Sequence, residues 1–501
     1  MKSIYETRPS PTEPEACTTR PSVANRRKYR RRYCCLTMEN VTIGEQLKAI
    51  VGPNAVTFAP DHHPDDLHDE TLHDQHTEPF AVLRPSCTHE VSEIARVASK
   101  HSIPVTPRGS GTGLSGAVTP VPGGIVVSFS RMNKVLRLDV NDHVAVVQPG
   151  ITLRELGDAL ASSGLRYPVY PGELSGSLGG NVNTNAGGMR AVRHGVTRQH
   201  VLGLEMVLID GTVLRSGGPV VKSSSGYDIT QLVVGSEGTL AMVTEVTLKL
   251  SPALAHGATV LVPFSSLREV TRVVPSIVAS GLEPAILEYL DVITMGAITN
   301  AASLELGVEP SVAMRTAAYL IILLETRTAN QLETDIADLA GLVEQAGALD
   351  VYVLGSGAAA RLIEARERAF WVAKAAGAHE IVDIVVPRSS VPEFLEEASL
   401  IAERHESFIS MCGHVGDGNV HLSIFQPDNE KRTAMLFELF TFGLGLGGQI
   451  SGEHGIGRDK QGPYLALTDP TLLDLQRRIK HAFDPHRLLN PYRLLDERPL
   501  P

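Results

Sequence analysis

Cysteine is scarce in this chain, with five residues in 501, too few to staple a fold of this length. Tryptophan occurs once. Long apolar runs are missing: the longest, Ala317–Leu324, is strand-sized and well short of the ~18 residues that a membrane-spanning helix needs. Positive charge is also in short supply, 45 Lys and Arg against 56 Asp and Glu, for a net −11. That balance argues against a generic nucleic-acid binder, whose contact face must be basic. What remains is an ordinary globular composition, 43% hydrophobic and 20% charged, with chain enough for two to four domains. A cysteine-poor chain of this kind is expected in the cytoplasm.

The charge is uneven. Residues 1–37 carry a local +6, with a basic run from Arg26 to Arg32, so the rest sums to −17. No apolar stretch follows the run, which excludes a twin-arginine export signal. A disordered extension is expected here, with Met38 as an alternative first residue. Three of the five cysteines lie in this tail. Asp61 to Glu78 then holds five His and seven acids with no repeating ligand spacing, and is expected to be a solvated, partly ordered segment.

The middle alternates short strands, helices and glycine loops. Ala81–Arg84 and Ile103–Thr106 read as strands around a helix over Glu90–His101. The loop Arg108-Gly-Ser-Gly-Thr-Gly-Leu-Ser-Gly116 ends in G-x-G-x-x-G, but Pro120 and Pro122 follow. A dinucleotide fingerprint must open a helix, so nicotinamide chemistry is disfavoured. The loop can still cradle an anion on its amides. Gly176–Gly188 is a second such segment, nearly uncharged, and Gly235-Ser-Glu-Gly-Thr-Leu240 is a third, leading into an alternating strand over Met242–Leu250. Three glycine loops between short strands suit one large diphosphate ligand in an α+β domain.

From about residue 254 a second domain is expected. Strands over Thr259–Val262, Leu320–Leu324, Val351–Leu354 and Ile381–Val386 interleave with helices over Ser266–Ala279, Leu332–Ala346, Ala358–Ala375 and Val391–Glu403. The pattern suggests an antiparallel sheet with helices on one face. Later, Asp417-Gly418 in Gly413-His-Val-Gly-Asp-Gly-Asn-Val-His421 reads as a two-residue hairpin turn, which would set His414 opposite His421 with Asn419 on the same face. The histidines alone fit a plain hydrogen-bonded hairpin equally well. The loop Ser451-Gly-Glu-His-Gly-Ile-Gly457 adds a carboxylate, and two His plus one carboxylate is a recurrent open metal site. A carboxylate ligand would want a guanidinium fork, and Arg361, Arg366 and Arg368 share one helix.

Together Arg108–Gly116, Gly179–Gly188, Val201–Glu205, Gly226–Asp228 and Gly235–Thr239 resemble the FAD-binding domain of vanillyl-alcohol-oxidase-type (p-cresol-methylhydroxylase-type) flavoproteins. Within them the chain is similar to the D-2-hydroxyacid dehydrogenases: D-lactate dehydrogenase, D-2-hydroxyglutarate dehydrogenase and the glycolate oxidase catalytic subunit. The resemblance runs over about residues 80 to 495. It implies an FAD domain of two α+β subdomains over 38–253, a substrate domain over 254–410, and a C-terminal segment over 411–501 packing on the FAD domain.

It further implies that Arg108, Gly109, Ser110, Gly111, Thr112 and Gly113 hold a non-covalent FAD at its pyrophosphate. Ser177, Gly180, Asn181, Asn185, Gly187, Gly188 and Gly195 would follow along the flavin, with Glu237, Gly238, Val243 and Asn490 at its walls. His194 replaces a usual Tyr and is the position where a covalent flavin link would be sought. His414, His421 and Glu453 match ligands of a divalent Zn, Fe or Mn, His454 a base, and Arg366 the substrate-carboxylate arginine, with Asn419 beside them as a catalytic candidate.

The implied reaction is oxidation of a D-lactate-like or glycolate-like 2-hydroxy acid to the 2-oxo acid, with hydride passing to flavin N5. D-2-Hydroxyglutarate is the alternative, disfavoured because Glu380-Ile-Val-Asp383 lacks the second basic group. Two other classes stay open: a non-redox flavin-dependent transferase, and an FAD-holding subunit of an electron-transfer complex. The electron acceptor would be a quinone, a cytochrome, an electron-transfer flavoprotein or oxygen, and a homodimer is compatible.

Overall fold

The computed structural model describes residues 42–73 and 77–496. The basic extension over 1–37 lies outside the described residues. Three larger sheets and a two-stranded one, Leu165–Arg166 with Ser251–Pro252, organise the described residues. The first has four short strands in the order Val56–Phe58, Ala81–Leu83, Ile125–Ser128, Val105–Arg108, the last three parallel. The helix Thr88–His101 buries Val91, Ile94, Ala95 and Ala98 against this unit, the 3.6-residue spacing expected of it. No helix stands between Arg108 and Ile125, as the prolines required.

The second sheet is antiparallel and five-stranded, in the order Val135–Asp139, Val144–Val147, Met242–Lys249, Val201–Val207, Val213–Gly217. Against it packs a short helix, Leu178–Thr184, inside the glycine-rich segment Gly176–Gly188. Ser177 caps it, its Oγ accepting from Gly180 N, and Leu178 and Val182 are fully buried.

The third sheet has seven antiparallel strands: Tyr352–Val353, His256–Phe264, Ala318–Thr326, Ile286–Asp291, Phe408–Gly413, Asn419–Phe425, Glu380–Val385. His256–Phe264 and Ala318–Thr326 extend expected strands, Tyr352–Val353 is shorter than expected, Glu380–Val385 is shifted by one residue, and Ile286–Asp291 is new. The expected boundary at residue 410 falls inside Phe408–Gly413, so this sheet spans it.

Helices cover both faces of the third sheet rather than one. Val260, Val262 and Phe264 join a core with helices Ala329–Gln345, Val391–Arg404 and Asn429–Gly445, while Leu261 turns to the helices Val292–Ala301 and Ser356–Glu367. The alternation of a strand apolar on both sides requires a cover on each. Two expected helices are split: Leu267–Arg272 and Val274–Ala279 part just before Pro275, which cannot donate to the preceding turn, and Ser356–Glu367 is followed separately by Ala369–Ala375.

A half-buried ion cluster ties the strand Leu165–Arg166, paired with Ser251–Pro252, and the loop at Arg190 to the third sheet. Arg166 grips Glu325 in a bidentate fork at 2.9 and 2.6 Å, and Arg190 adds a contact at 2.9 Å. Burial disfavours ionised Glu325, yet the two guanidiniums outweigh it and hold its carboxyl at about 2. Its stabilisation is therefore present above the unfolded-state value of 4.5 and is lost as pH falls toward 2. Glu325→Gln is expected to cost about 2 kcal/mol at neutral pH, discounted for solvent screening. Chemical denaturation of both proteins from pH 7 down to pH 3 should show their stabilities converging.

Candidate functional site

One cleft of about 440 Å³ runs between the glycine loops and the third sheet. Its glycine wall is made by Gly109–Gly113, Gly176, Ser177, Gly180, Asn181 and Gly187, as the sequence motifs anticipated. The two loops are stitched together: Ser110 N donates to Ser177 Oγ at 3.1 Å and Ser177 N donates to Ser110 Oγ at 2.9 Å. Asn181 Nδ2 is buried without an acceptor, so this wall offers unused donors. A wall of small residues and free donors fits a flat polar diphosphate ligand such as FAD. Gly238 and Val243 line a smaller adjoining cavity of about 70 Å³ that continues the cleft inward.

Several other residues expected at the flavin do not line this cleft. The Arg108 side chain is buried and turned away, donating to the carbonyls of Asp65 and His68. The His-rich segment is therefore tied down rather than solvated: Asp66 pairs with Arg84, Asp69 is buried, and His73 meets Glu380 at 2.7 Å. Gly188 packs where a β-carbon would strike the Tyr170 carbonyl, and it does not line the cleft. Asn185 Oδ1 accepts from Arg198 N, and Asn185 faces a second cavity behind the loop Ile450–Ile456. Gly195 lies away from the cleft, and His194 beside it rests 3.4 Å from Arg166, outside the lining. Asn490 Nδ2 donates to the carbonyls of Ala117 and Glu237, locking two loops to each other.

The opposite wall carries Arg366, His414, His421, Glu453 and His454. Ligand atoms of His414, His421 and Glu453 lie within 4.8 Å of one another. Glu453 Oε1 is 3.1 Å from His414 Nε2, 3.3 Å from His421 Nε2 and 3.8 Å from His454 Nε2. The hairpin that delivers the histidines is not the two-residue turn expected. The register pairs Cys412, not His414, with His421, and Val415–Asp417 forms a 3-10 turn closed by Gly418 in the left-handed region. His414 thus leaves the strand and swings back, its ring 4.9 Å from that of His421. Asn419 shares the face of His421, but sits under the loop against Gly452 and does not line the cleft.

Three buried carboxylates organise this wall, two of them, Glu288 and Asp383, without a role in the sequence reading and the third, Glu237, expected there only at the flavin. Glu288, fully buried on the central strand Ile286–Asp291, meets His414 Nδ1 at 2.5 Å and Arg366 Nη2 at 2.7 Å. Burial disfavours charge on His414, yet Glu288 and Glu453 outweigh it and raise the imidazole to about 10. Burial likewise opposes ionisation of Glu453, but His414 and its neighbours bring that carboxyl down to about 2. His421 and His454 are shifted down, mainly by burial, and so stay neutral. Buried His421 Nε2 and Glu453 Oε2 have no hydrogen-bond partner, which fits a cation between them.

Asp383 is the second missed acid. It accepts from Ser451 Oγ and from the amides of Gly452, Glu453 and His454 at 2.8 to 3.0 Å, and pairs with Lys460 Nζ at 2.6 Å. Glu237, expected at the flavin, is the third carboxylate: it accepts from Ile456 N and Gly457 N, both at 2.7 Å. The only signal for Glu288 and Asp383 was an acid interrupting an apolar strand. Cys412 also faces the cleft, its thiol pushed up to about 11 by burial.

Known proteins match at this point. Residues 79–217 match the FAD binding domain family and residues 254–494 the C-terminal domain of FAD linked oxidases. An uncharacterized FAD-linked oxidoreductase of Mycobacterium tuberculosis is 51% identical over 88% of this chain and 96% of its own. The glycolate oxidase subunit GlcD of Bacillus subtilis is 36% identical, covering 82% of this chain and 88% of its own. The D-lactate dehydrogenase of Archaeoglobus fulgidus is 35% identical, over 83% and 91%. Among solved structures, p-cresol methylhydroxylase superimposes with TM-score 0.74 at 16% identity over 91% of this chain and 96% of its own. Alkyldihydroxyacetonephosphate synthase follows with 0.69 at 17%, over 90% and 84%. Both likenesses concern the fold alone.

Asp383→Asn is expected to destabilise the protein by about 3–5 kcal/mol, because it leaves the Lys460 ammonium buried and uncompensated. Denaturant unfolding would measure the loss. Amide exchange at Gly452–His454 should rise, and adding Lys460→Met should recover part of the stability.

Proposed function

The chain belongs to the FAD-linked oxidases, and on that premise we propose that it oxidises a 2-hydroxy acid, of D configuration, to the 2-oxo acid. The observation that carries this reading is the convergence of Arg366, His454 and the His414/His421/Glu453 set on the wall facing the glycine loops. Relatives named glycolate oxidase subunit, D-lactate dehydrogenase and D-2-hydroxyglutarate dehydrogenase, 32–36% identical, support the same substrate class. FAD held along Gly109–Gly113 and Gly180–Asn181 would supply the two-electron acceptor. A divalent cation between His414, His421 and Glu453 would supply Lewis acidity toward the substrate oxygens.

The chain's own residues do the rest. Arg366 is buried beside Glu288, and its Nε has no acceptor, which leaves a donor for the substrate carboxylate. His454 is neutral and can take the hydroxyl proton on Nε2. Its Nδ1 lies 3.5 Å from Asp383, which favours the proton's arrival electrostatically and fixes the ring's orientation. The backbone of His454 is anchored from the other side as well, its carbonyl accepting from Ser115 Oγ at 2.9 Å. Arg366 and His454 are both largely buried, which keeps bulk water from these groups.

Anaerobic mixing with a panel of D- and L-2-hydroxy acids, followed by loss of flavin absorbance, tests the reading. Reduction by D but not L acids is expected. His454→Asn should slow that reduction by about 10²–10⁴-fold while carboxylate binding persists. Unchanged reduction would remove His454 from its role. Separately, His421→Ala should lose divalent metal by elemental analysis and retain FAD.

A further inference from the structure

The sheet face that carries His421 continues outward. In the pairing of Phe408–Gly413 with Asn419–Phe425, Cys412 stands opposite His421, Ser410 opposite Ser423, and Phe408 opposite Phe425. Residues two apart on a strand share a face, so these pairs form a ramp about 13 Å long from the His/Glu cluster to the rim. All six line the cleft.

A second apolar wall faces the ramp. After Arg366 the chain continues into Ala369–Ala375, whose Ala373 joins one cluster with Phe370, Ile381 and Phe425, closed by Leu72. The Phe408 and Phe425 rings are 5.4 Å apart, and those of Phe370 and Trp371 are 5.3 Å apart. Phe408 is half exposed and Trp371 40% exposed, so the aromatics reach the mouth. Polarity thus falls along the path, from imidazole and carboxylate through two hydroxyls to four aromatic rings.

Charge points the same way. Arg366 is the one Arg or Lys among the described residues lining the cleft. The ammonium of Lys374, next to these rings, is paired with Glu70 at 3.0 Å. Asp69 also lines the cleft and would repel a second carboxylate.

We propose that the ramp is the channel for the substrate's side chain, and that the substrate is a 2-hydroxy acid bearing an apolar chain of several carbons or an aryl ring, not a dicarboxylate. This rests on the 2-hydroxy-acid reading above, which orients the carboxylate at Arg366. The channel then determines specificity through burial of the chain, each methylene raising kcat/KM by roughly threefold until the channel is filled.

Two measurements on the FAD-loaded protein test it. The first is anaerobic flavin reduction by 2-hydroxypropanoate, 2-hydroxyhexanoate, 2-hydroxyoctanoate and 2-hydroxyglutarate. A rise of at least tenfold in kcat/KM from the three-carbon to the eight-carbon acid is expected, with 2-hydroxyglutarate below both. Phe408→Ser, at a half-exposed site that tolerates it, should cut the eight-to-three-carbon ratio about tenfold. The second is binding of the unreactive 2-oxooctanoate, pyruvate and 2-oxoglutarate, read by fluorescence of Trp371, the single tryptophan. If the three-carbon or dicarboxylic acid reduces flavin as well as the long one, the channel is overturned and the oxidation reading stands. If no hydroxy acid reduces flavin, but 2-oxooctanoate binds tenfold tighter than pyruvate and loses that margin in Phe408→Ser, the oxidation reading falls and the apolar channel stands. Equal binding of all three oxo acids overturns the channel.

Discussion

The arrangement hangs on a buried carboxylate, Asp383. Its two oxygens collect a hydroxyl, three backbone amides and one ammonium, all from the stretch Ser451–Lys460. A fully buried charge is tolerated only when so densely satisfied. The loop it gathers is rich in glycine and would otherwise have no fixed shape. Gly452 is required there because a β-carbon would overlap the Asn419 amide nitrogen. With the loop fixed, Glu453 and His454 are presented from adjacent positions to the histidines of the sheet.

A second buried acid does the matching work from the other unit. Glu237 takes the amides of Ile456 and Gly457, so the same loop is held between the flavin-binding part and the sheet. Glu288 then balances the remaining positive charge, facing both His414 and Arg366. On the cleft wall the charged groups are paired, Arg366 and His414 with Glu288 and His414 also with Glu453. The cleft exists only where the units meet, and the Arg166–Glu325–Arg190 cluster helps keep them in that relation.

Much of this was legible in the sequence where chemistry is local. Glycine loops broken by proline announced a cradle without a dinucleotide helix, because bare amides and missing donors are properties of adjacent residues. The His414, His421 and Glu453 set was legible for the same reason: close spacing on a short hairpin, and a carboxylate flanked by glycines, restrict where the side chains can go. Even so, the hairpin was read one turn too tight, since a 3-10 turn and a two-residue turn share the Asp-Gly signal. The three side chains met regardless, because His414 returns across the turn it was expected to open.

The sequence by itself determined the α+β class, the glycine loops between short strands, and which residue types hold the chemistry. Only the tertiary structure decided that Asp383, Glu288 and Glu237 organise the site, that Asn419 and Asn490 brace loops instead of lining the cleft, and that the His-rich segment folds against its rim. Periodicity reports which face of an element is apolar. It carries no information about which distant backbone amide or imidazole will be brought to an isolated acid, and that pairing, made across hundreds of residues, sets the charge and geometry of the site.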